Sequence, residues 1–413
     1  MSNADNPGDA GAKVVVQRTC SCSVTGASAA PAVGRLGKVL SHFDCMVDHC
    51  LEYVDSTKAQ GRPLVGIMCE FTPREIILAA GGVPVCLCGG SADTIAAAER
   101  LLPQNLCPLI KSTFGYHVSG SNPFLKQADL VVAETTCDGK KKMFEVMAES
   151  KPMYVLDLPQ TAEAPEVEGA WIRELRDFQR FLEERFGTEI TDDRLRGAIR
   201  LMNRERGLRR QLADCMIQDP PPITGRQLLD MKSIISGMES DLEQYEEALR
   251  GLADGERTGD NSKAIRVLLT GVPVVHGAER ILDVIEGRGC VVVAMENCTG
   301  LKPILEDVDE TAPDPIVAIA QKYLHLPCSV MMHNESRIQT LRALAAKFRP
   351  HCVIELVWQA CLTYDVESYF VRKVVEEELR LPYLKITTDY SPSDSARVAA
   401  RVDALIETVL AHC

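Results

Sequence analysis

The sequence predicts an α/β protein with two Rossmann-like parallel-sheet domains joined by a helical segment. Three observations carry this expectation. Short apolar runs rich in β-branched residues alternate with helical stretches in residues 34–162, and again in residues 261–413. The connections between them are short, which suits strand–helix–strand units covered by helices. Between the two regions, residues 163–260 contain no strand-like run.

The elements follow in order. Residues 1–33 are rich in Ala, Gly, Ser, Asn and Pro without a sustained period, so a mobile tail is expected. Its Cys20 and Cys22 have no nearby partners and read as incidental. Residues 35–58 read as one amphipathic helix. Pro63–Met68 is a buried parallel strand. Thr72-Pro73-Arg74-Glu75 then reads as a capping box with proline at the first helical position, opening a helix that stops at Gly81-Gly82. Val83–Leu87, Ala128–Ala133 and Met153–Leu156 are further strands, with a helix from Lys141 to Ser150. In the helical segment, Trp171–Phe186, Asp192–Met216 and Gly225–Leu252 repeat Arg, Glu, Leu and Gln at helical spacing, and a turn at 254–261 ends it. The second domain offers strands at Ile265–Leu269, Cys290–Ala294, Val353–Val357 and Tyr383–Thr388. Helices are expected at Gly277–Glu286, Tyr364–Glu378 and Asp394–Leu410.

Composition narrows the function classes. The chain has 413 residues, 46% hydrophobic and 25% charged, which is globular. A net charge of −13 and only 5% aromatic residues argue against nucleic acid as a partner. No apolar run is long enough for a membrane span, and the N-terminus lacks a secretory layout. Sixteen cysteines in a large, regular α/β chain point to a reducing cytoplasm, with thiols either free or metal-bound.

In open parallel sheets, ligands bind beyond the carboxyl ends of the strands. Cys69, Cys137, Cys298 and Cys361 each follow an apolar strand-like run. Cys107 and Cys328 lie in loops or at helix starts, each about thirty residues before a strand-end cysteine. The two halves thus form a coarse repeat, imperfect because Cys69 follows the first strand of its domain and Cys298 the second. Cys86, Cys88, Cys290 and Cys352 lie within or beside apolar runs and read as small hydrophobes. Cys45, Cys50 and Cys215 fall on helical stretches, and Cys413 is the last residue. A zinc site closes with four ligands, usually in local CxxC pairs, and no CxxC is present. Iron–sulfur clusters accept distant thiolates, which suits six cysteines on six loops.

Several segments then resemble a known family. They are Gly66-Ile67-Met68-Cys69 with Thr72-Pro73-Arg74-Glu75, Asn105-Leu106-Cys107-Pro108, and Cys137-Asp138-Gly139-Lys140-Lys141-Lys142-Met143. Glu296-Asn297-Cys298-Thr299-Gly300 and Thr388-Asp389-Tyr390-Ser391 complete the set. From about residue 35 onward the chain is similar to the 2-hydroxyacyl-CoA dehydratase and benzoyl-CoA reductase family. The resemblance implies that Cys69, Cys107 and Cys298 are the cluster cysteines of dehydratase subunits. The additional Cys137, Cys328 and Cys361 resemble the double-cubane proteins, in which two [4Fe–4S]-type cubanes share a sulfide as an [8Fe–9S] cluster. It further implies a homodimer, charged by a separate ATP-hydrolysing iron–sulfur activator, that reduces small molecules with low-potential electrons. The sequence has neither GxxxxGK[ST] nor GxGxxG, so ATP is expected on the partner. The resemblance also allows a [4Fe–4S] dehydratase subunit, and a non-catalytic electron carrier is the alternative from another class, since ligand positions alone do not show turnover.

Lys140, Lys141 and Lys142 after Cys137 read either as cationic compensation of a cluster or as a solvated helix start. Helix N-termini after Cys69 and Cys137 would favour thiolate. Glu70, His276 and Glu296 are the expected proton-delivery residues.

Overall fold

The structure is a computed structural model, and it describes residues 34–412. Cys20, Cys22 and Cys413 lie outside the described residues. Two four-stranded parallel sheets form the frame. The first contains β1 (Leu64–Ile67), β2 (Val83–Cys86), β3 (Leu130–Glu134) and β4 (Met153–Leu156), in spatial order β2-β1-β3-β4. The second contains β5 (Ile265–Gly271), β6 (Cys290–Glu296), β7 (Cys352–Trp358) and β8 (Tyr383–Thr388), in order β6-β5-β7-β8. Both sheets follow one topology, as the expected pair of Rossmann-like domains requires. Their central strands are buried throughout, which explains continuous Val, Ile and Leu runs in place of alternation.

Helices cover the sheets in chain order. Before and within the first sheet come α1 (Arg35–Asp44), α2 (Met46–Ala59), α3 (Arg74–Ala79), α4 (Ile95–Ala98), α5 (Pro108–Ser119), α6 (Pro123–Gln127) and α7 (Asp138–Ala148). The strand-free interval holds α8 (Pro165–Phe186), α9 (Asp192–Asp214), α10 (Gly225–Asp230) and α11 (Glu239–Ala253). Among and after the strands of the second sheet come α12 (Arg280–Glu286), α13 (Pro315–Leu324), α14 (Glu335–Phe348), α15 (Leu362–Lys373) and α16 (Ser395–His412), of which α13 packs back on α8 and the core of the first sheet. No described helix is long and apolar enough to cross a membrane.

Three local readings change. Residues 35–58 form two helices that break at Cys45. The stretch 225–252 splits after a capping box of Thr224 and Gln227, because residues 233–236 run alongside β2. There Cys86 N donates to Ile234 O at 2.8 Å and Val85 bridges Ile235. The capping box at Thr72 is absent: α3 starts at Arg74, and the Thr72 hydroxyl donates to Glu134 instead. Glu75 is fully buried and takes hydrogen bonds from the Arg206 guanidinium and from Tyr323 Oη, the latter at 2.8 Å. A buried cation thus outcompetes the local cap.

Candidate functional site

Five of the six cysteines follow a strand or cap a helix, and the sixth, Cys328, lies in a loop between two helices. Cys69 lies just past β1, and Cys298 just past β6. Cys328 lies between α13 and α14. Cys107, Cys137 and Cys361 are the N-cap residues of α5, α7 and α15, where unpaired backbone N–H groups and the helix dipole favour thiolate. Cys69 has no such helix start, because α3 begins five residues later.

The fold joins these loops across the two sheets. Cys107 on the first half faces Cys361 on the second as a thiol pair, and Cys298 faces Cys328. Cys69 lies within electrostatic reach of Cys298 and Cys328. In each pair one thiol supports its partner's ionised form. The hydrogen bond from Cys298 brings Cys328 down to about 5, and that from Cys107 lowers Cys361. Burial pushes Cys69 up to about 12 against the pull of Lys140.

This donor set can be tested against the group it would hold. Sulfurs around one tetrahedral zinc lie about 3.8 Å apart, from Zn–S bonds of about 2.3 Å. Among the described residues no three thiol sulfurs fall within 4.8 Å of one another. Soft donors from separate loops, spread wider than one ion spans, fit a multi-iron cluster better than mononuclear zinc.

The surroundings are cationic. Lys140 points inward: its Nζ donates to Met68 O at 2.8 Å and faces Cys69, Cys88 and Cys137. Lys141 and Lys142 pair outward with Asp138 and Glu145, so one lysine compensates thiolates and two form a solvated helix face. Lys302 is buried, its Nζ 3.0 Å from Tyr364 Oη, and it faces Cys298 and Cys328. Lys232 Nζ donates to Cys298 O at 3.3 Å.

Local motifs set the loops. In Glu296-Asn297-Cys298-Thr299-Gly300, the buried Asn297 Oδ1 accepts from Thr299 N at 3.1 Å and Gly300 N at 2.8 Å, an Asx turn that fixes Cys298. In Thr388-Asp389-Tyr390-Ser391, Tyr390 Oη donates to Gly89 O at 3.1 Å, tying the last strand of the second sheet to the loop after β2. Beside it Gly90 packs so tightly on His276 that a Cβ would lie 2.2 Å from His276 O.

The three expected proton-delivery residues separate. Glu296 is fully buried: strand register sets it beside Thr270, and Arg337 Nε lies 3.2 Å away and Lys302 Nζ 3.3 Å away. Burial would raise its pKa, but these cations outweigh it and lower it. Glu70 is similarly held at about 2, since Arg74 at 2.7 Å and Lys232 at 3.4 Å outweigh burial. Both stay ionised near neutrality and have no proton to give, so their geometry is that of countercharges. His276 differs. It lies on an accessible loop, and its hydrogen bond with Glu279 raises its pKa.

Sequence reasoning missed two features. Cys86 and Cys88 are partly exposed thiols in contact with each other, and Cys88 Sγ donates to Met68 O at 3.3 Å. Together with His276, Glu279, Lys232 and Thr299 they line a cavity of about 180 Å³, which reaches the candidate ligands at Thr299, next to Cys298 in the chain. The signal was available, since Cys86 ends and Cys88 follows an apolar strand, the position the other four occupy. Glu134 ends β3 beside Cys69, and burial raises its carboxyl to about 7 despite Lys140.

Comparison with known proteins identifies the family. Residues 69–409 match the family described as 2-hydroxyglutaryl-CoA dehydratase, D-component. YjiM of Escherichia coli (strain K12), provisionally named a dehydratase subunit, is 40% identical over 85% of this chain and 92% of its own. The beta subunit of (R)-2-hydroxyglutaryl-CoA dehydratase from Acidaminococcus fermentans is 20% identical over 85% and 94%. A benzoyl-CoA reductase subunit from Thauera aromatica is 24% identical over 64% and 68%. The chain belongs to the 2-hydroxyglutaryl-CoA dehydratase D-component family.

Proposed function

We propose that this chain is a low-potential iron–sulfur reductase whose six thiolates Cys69, Cys107, Cys137, Cys298, Cys328 and Cys361 hold one double-cubane [8Fe–9S] cluster. The observation that carries the proposal is the pairing of Cys107 with Cys361 and of Cys298 with Cys328, with Cys69 beside the second pair. It supports one trio, Cys69–Cys298–Cys328, and a second group of Cys107 with Cys361, which leaves Cys137 to complete the second trio. When bound, such a cluster supplies electrons of very low potential. The residues around it do the rest. Lys140, Lys232 and Lys302 offset thiolate charge, and Glu70 and Glu296 hold Lys232 and Lys302 respectively in place. His276 is the accessible group able to deliver a proton to a small molecule in the adjoining cavity.

Electrons come from an ATP-hydrolysing activator protein in the cytoplasm, because this chain has no phosphate-binding loop. The active form is a homodimer. Helix α15 begins at Cys361 and leaves Leu362, Val366, Tyr369 and Phe370 exposed on one stripe, a surface suited to a contact between protomers near the cluster.

Iron and sulfide analysis with EPR on anaerobically purified protein tests the reading. We expect about eight irons per chain, falling when Cys137, Cys328 or Cys361 becomes Ser. Azide or acetylene reduction should require both ATP and the activator. About four irons, unchanged by those three substitutions, would defeat the double cubane. That result would favour the second reading, a [4Fe–4S] subunit of a 2-hydroxyacyl-CoA dehydratase, which the names of the relatives support. Eight irons without turnover would leave an electron carrier.

A further inference from the structure

We propose that His42, His49 and Asp241 form a divalent metal site, of the class that takes Zn²⁺, separate from the six cysteines. His42 lies in the last turn of α1 and His49 near the start of α2, seven residues on across the break at Cys45. Their rings stack at 4.1 Å with a 25° interplanar angle. Asp241 comes from the first turn of α11. Both Nε2 atoms converge on one carboxylate oxygen, at 2.9 Å for His42 and 3.3 Å for His49.

Hydrogen bonding alone leaves this cluster poorly satisfied. His49 Nε2 is buried with no hydrogen bond of good geometry, and Asp241 Oδ2 is buried with no partner. The Asp241 side chain is only 2% exposed. Two protonated imidazoles stacked at this distance would repel, and two neutral ones leave Oδ2 orphaned. A divalent cation removes the repulsion, because it takes both imidazoles neutral, and it gives the buried His49 Nε2 a partner. It accepts two neutral Nε2 donors and a carboxylate, and the expected separation of N and O ligands around tetrahedral zinc is about 3.3 Å, from bonds of about 2.0–2.1 Å. The existing separations are close to that. His42 and His49 side chains are 25% and 19% exposed, so an ion enters from solvent and keeps water as its fourth ligand.

Nitrogen and oxygen donors without a thiol distinguish this site from one built for iron and sulfide. Its place in the fold assigns it a stapling role, tying the α1–α2 pair to α11. Phe43, Asp44 and Met46, between the two histidines, line the cavity that also holds Cys86, Cys88 and His276, so the staple also sets one cavity wall.

The test uses the full chain with its iron loaded, stripped of adventitious zinc by a chelator and then titrated with Zn²⁺. Elemental analysis should find about one zinc per chain in the wild type. His49→Ala and the isosteric Asp241→Asn should each lose it with iron unchanged. The affinity loss should exceed the roughly 10–100-fold that removal of an outer-shell partner costs. Co²⁺ in place of zinc should give visible d–d absorption in the wild type alone, and Zn²⁺ should raise the melting temperature of the wild type alone. Circular dichroism on both variants separates loss of metal from loss of fold, and His42→Gln provides a milder third variant. Zinc content or affinity equal in the wild type and Asp241→Asn would overturn the proposal, as would zinc that disappears only when cluster cysteines are replaced.

Discussion

Replacing Glu75 with Gln should destabilise the protein and loosen the cysteine site together. Glu75 on α3 is fully buried, pairs with Arg206 of α9, and accepts from Tyr323 Oη of α13 at 2.8 Å. Arg206 is 3% exposed. Cys69 precedes α3 and Cys328 follows α13, so this triad ties together two of the loops that carry the candidate ligands. Removing the carboxylate leaves a buried guanidinium without its countercharge, which costs about 3–5 kcal/mol. For 413 residues, an unfolding entropy of about 2.1 cal/mol/K per residue converts that to a drop of about 3–6 °C in Tm. Calorimetry under anaerobic conditions reads the shift, and iron analysis reads the accompanying loss of metal. The acid limb gives a second readout. The folded pKa of Glu75 is depressed, since Arg206 outweighs burial. Its stabilisation is therefore complete above the unfolded value of about 4.3 and fades as pH falls through the lower folded value. The gap between wild type and variant should be full at pH 7 and shrink in acid. Replacing both partners, as Glu75→Leu with Arg206→Met, should recover much of the loss. A Glu75→Gln protein within about 0.5 kcal/mol of wild type, with all its iron, would refute the reasoning.

Two further outcomes follow from the charges around the site. If His276 delivers the proton, His276→Ala should lower turnover by about 100-fold or more with iron content unchanged. Because Glu279 raises the His276 pKa, Glu279→Gln should move the alkaline limb of the pH–rate profile to lower pH; an unmoved limb would remove His276 from the role. Lys140→Met should make the cluster harder to reduce, with a midpoint more negative on the order of 100 mV, as a lost unit charge at contact range gives at an effective dielectric of about 20. EPR-monitored redox titration reads it.

The sheets were legible because buried parallel strands are written as apolar β-branched runs. The strand-end thiols were legible by the same rule. Helix boundaries were less so. Nothing near Thr72 announces that Glu75 will meet an arginine more than a hundred residues away, and that partner displaced the capping box. Residues 233–236 look helical locally but pair with β2, where backbone hydrogen bonding to a sheet edge decides the matter. Glu70 and Glu296 drew notice by sitting next to cysteines. Adjacency in sequence does not say which way a side chain faces, and both face buried cations.

The shared strand order accounts for the imperfect cysteine repeat. With β1 to β4 equivalent to β5 to β8, Cys107 corresponds to Cys328, both lying between the second and third strands. Cys137 corresponds to Cys361, both following the third. Cys69 follows β1 and Cys298 follows β6, so their equivalents are the loops after β5 and β2. Those two loops carry His276 and Cys88, with Cys86 closing β2, and all three residues line one cavity that reaches Thr299, next to Cys298. Four strand-end positions thus divide into two that offer ligands and two that face the cavity. Cys88→Ser should accordingly keep the full iron content while changing the turnover of a small substrate such as azide. Iron loss in Cys88→Ser equal to that in Cys69→Ser would place Cys88 among the ligands and undo the division.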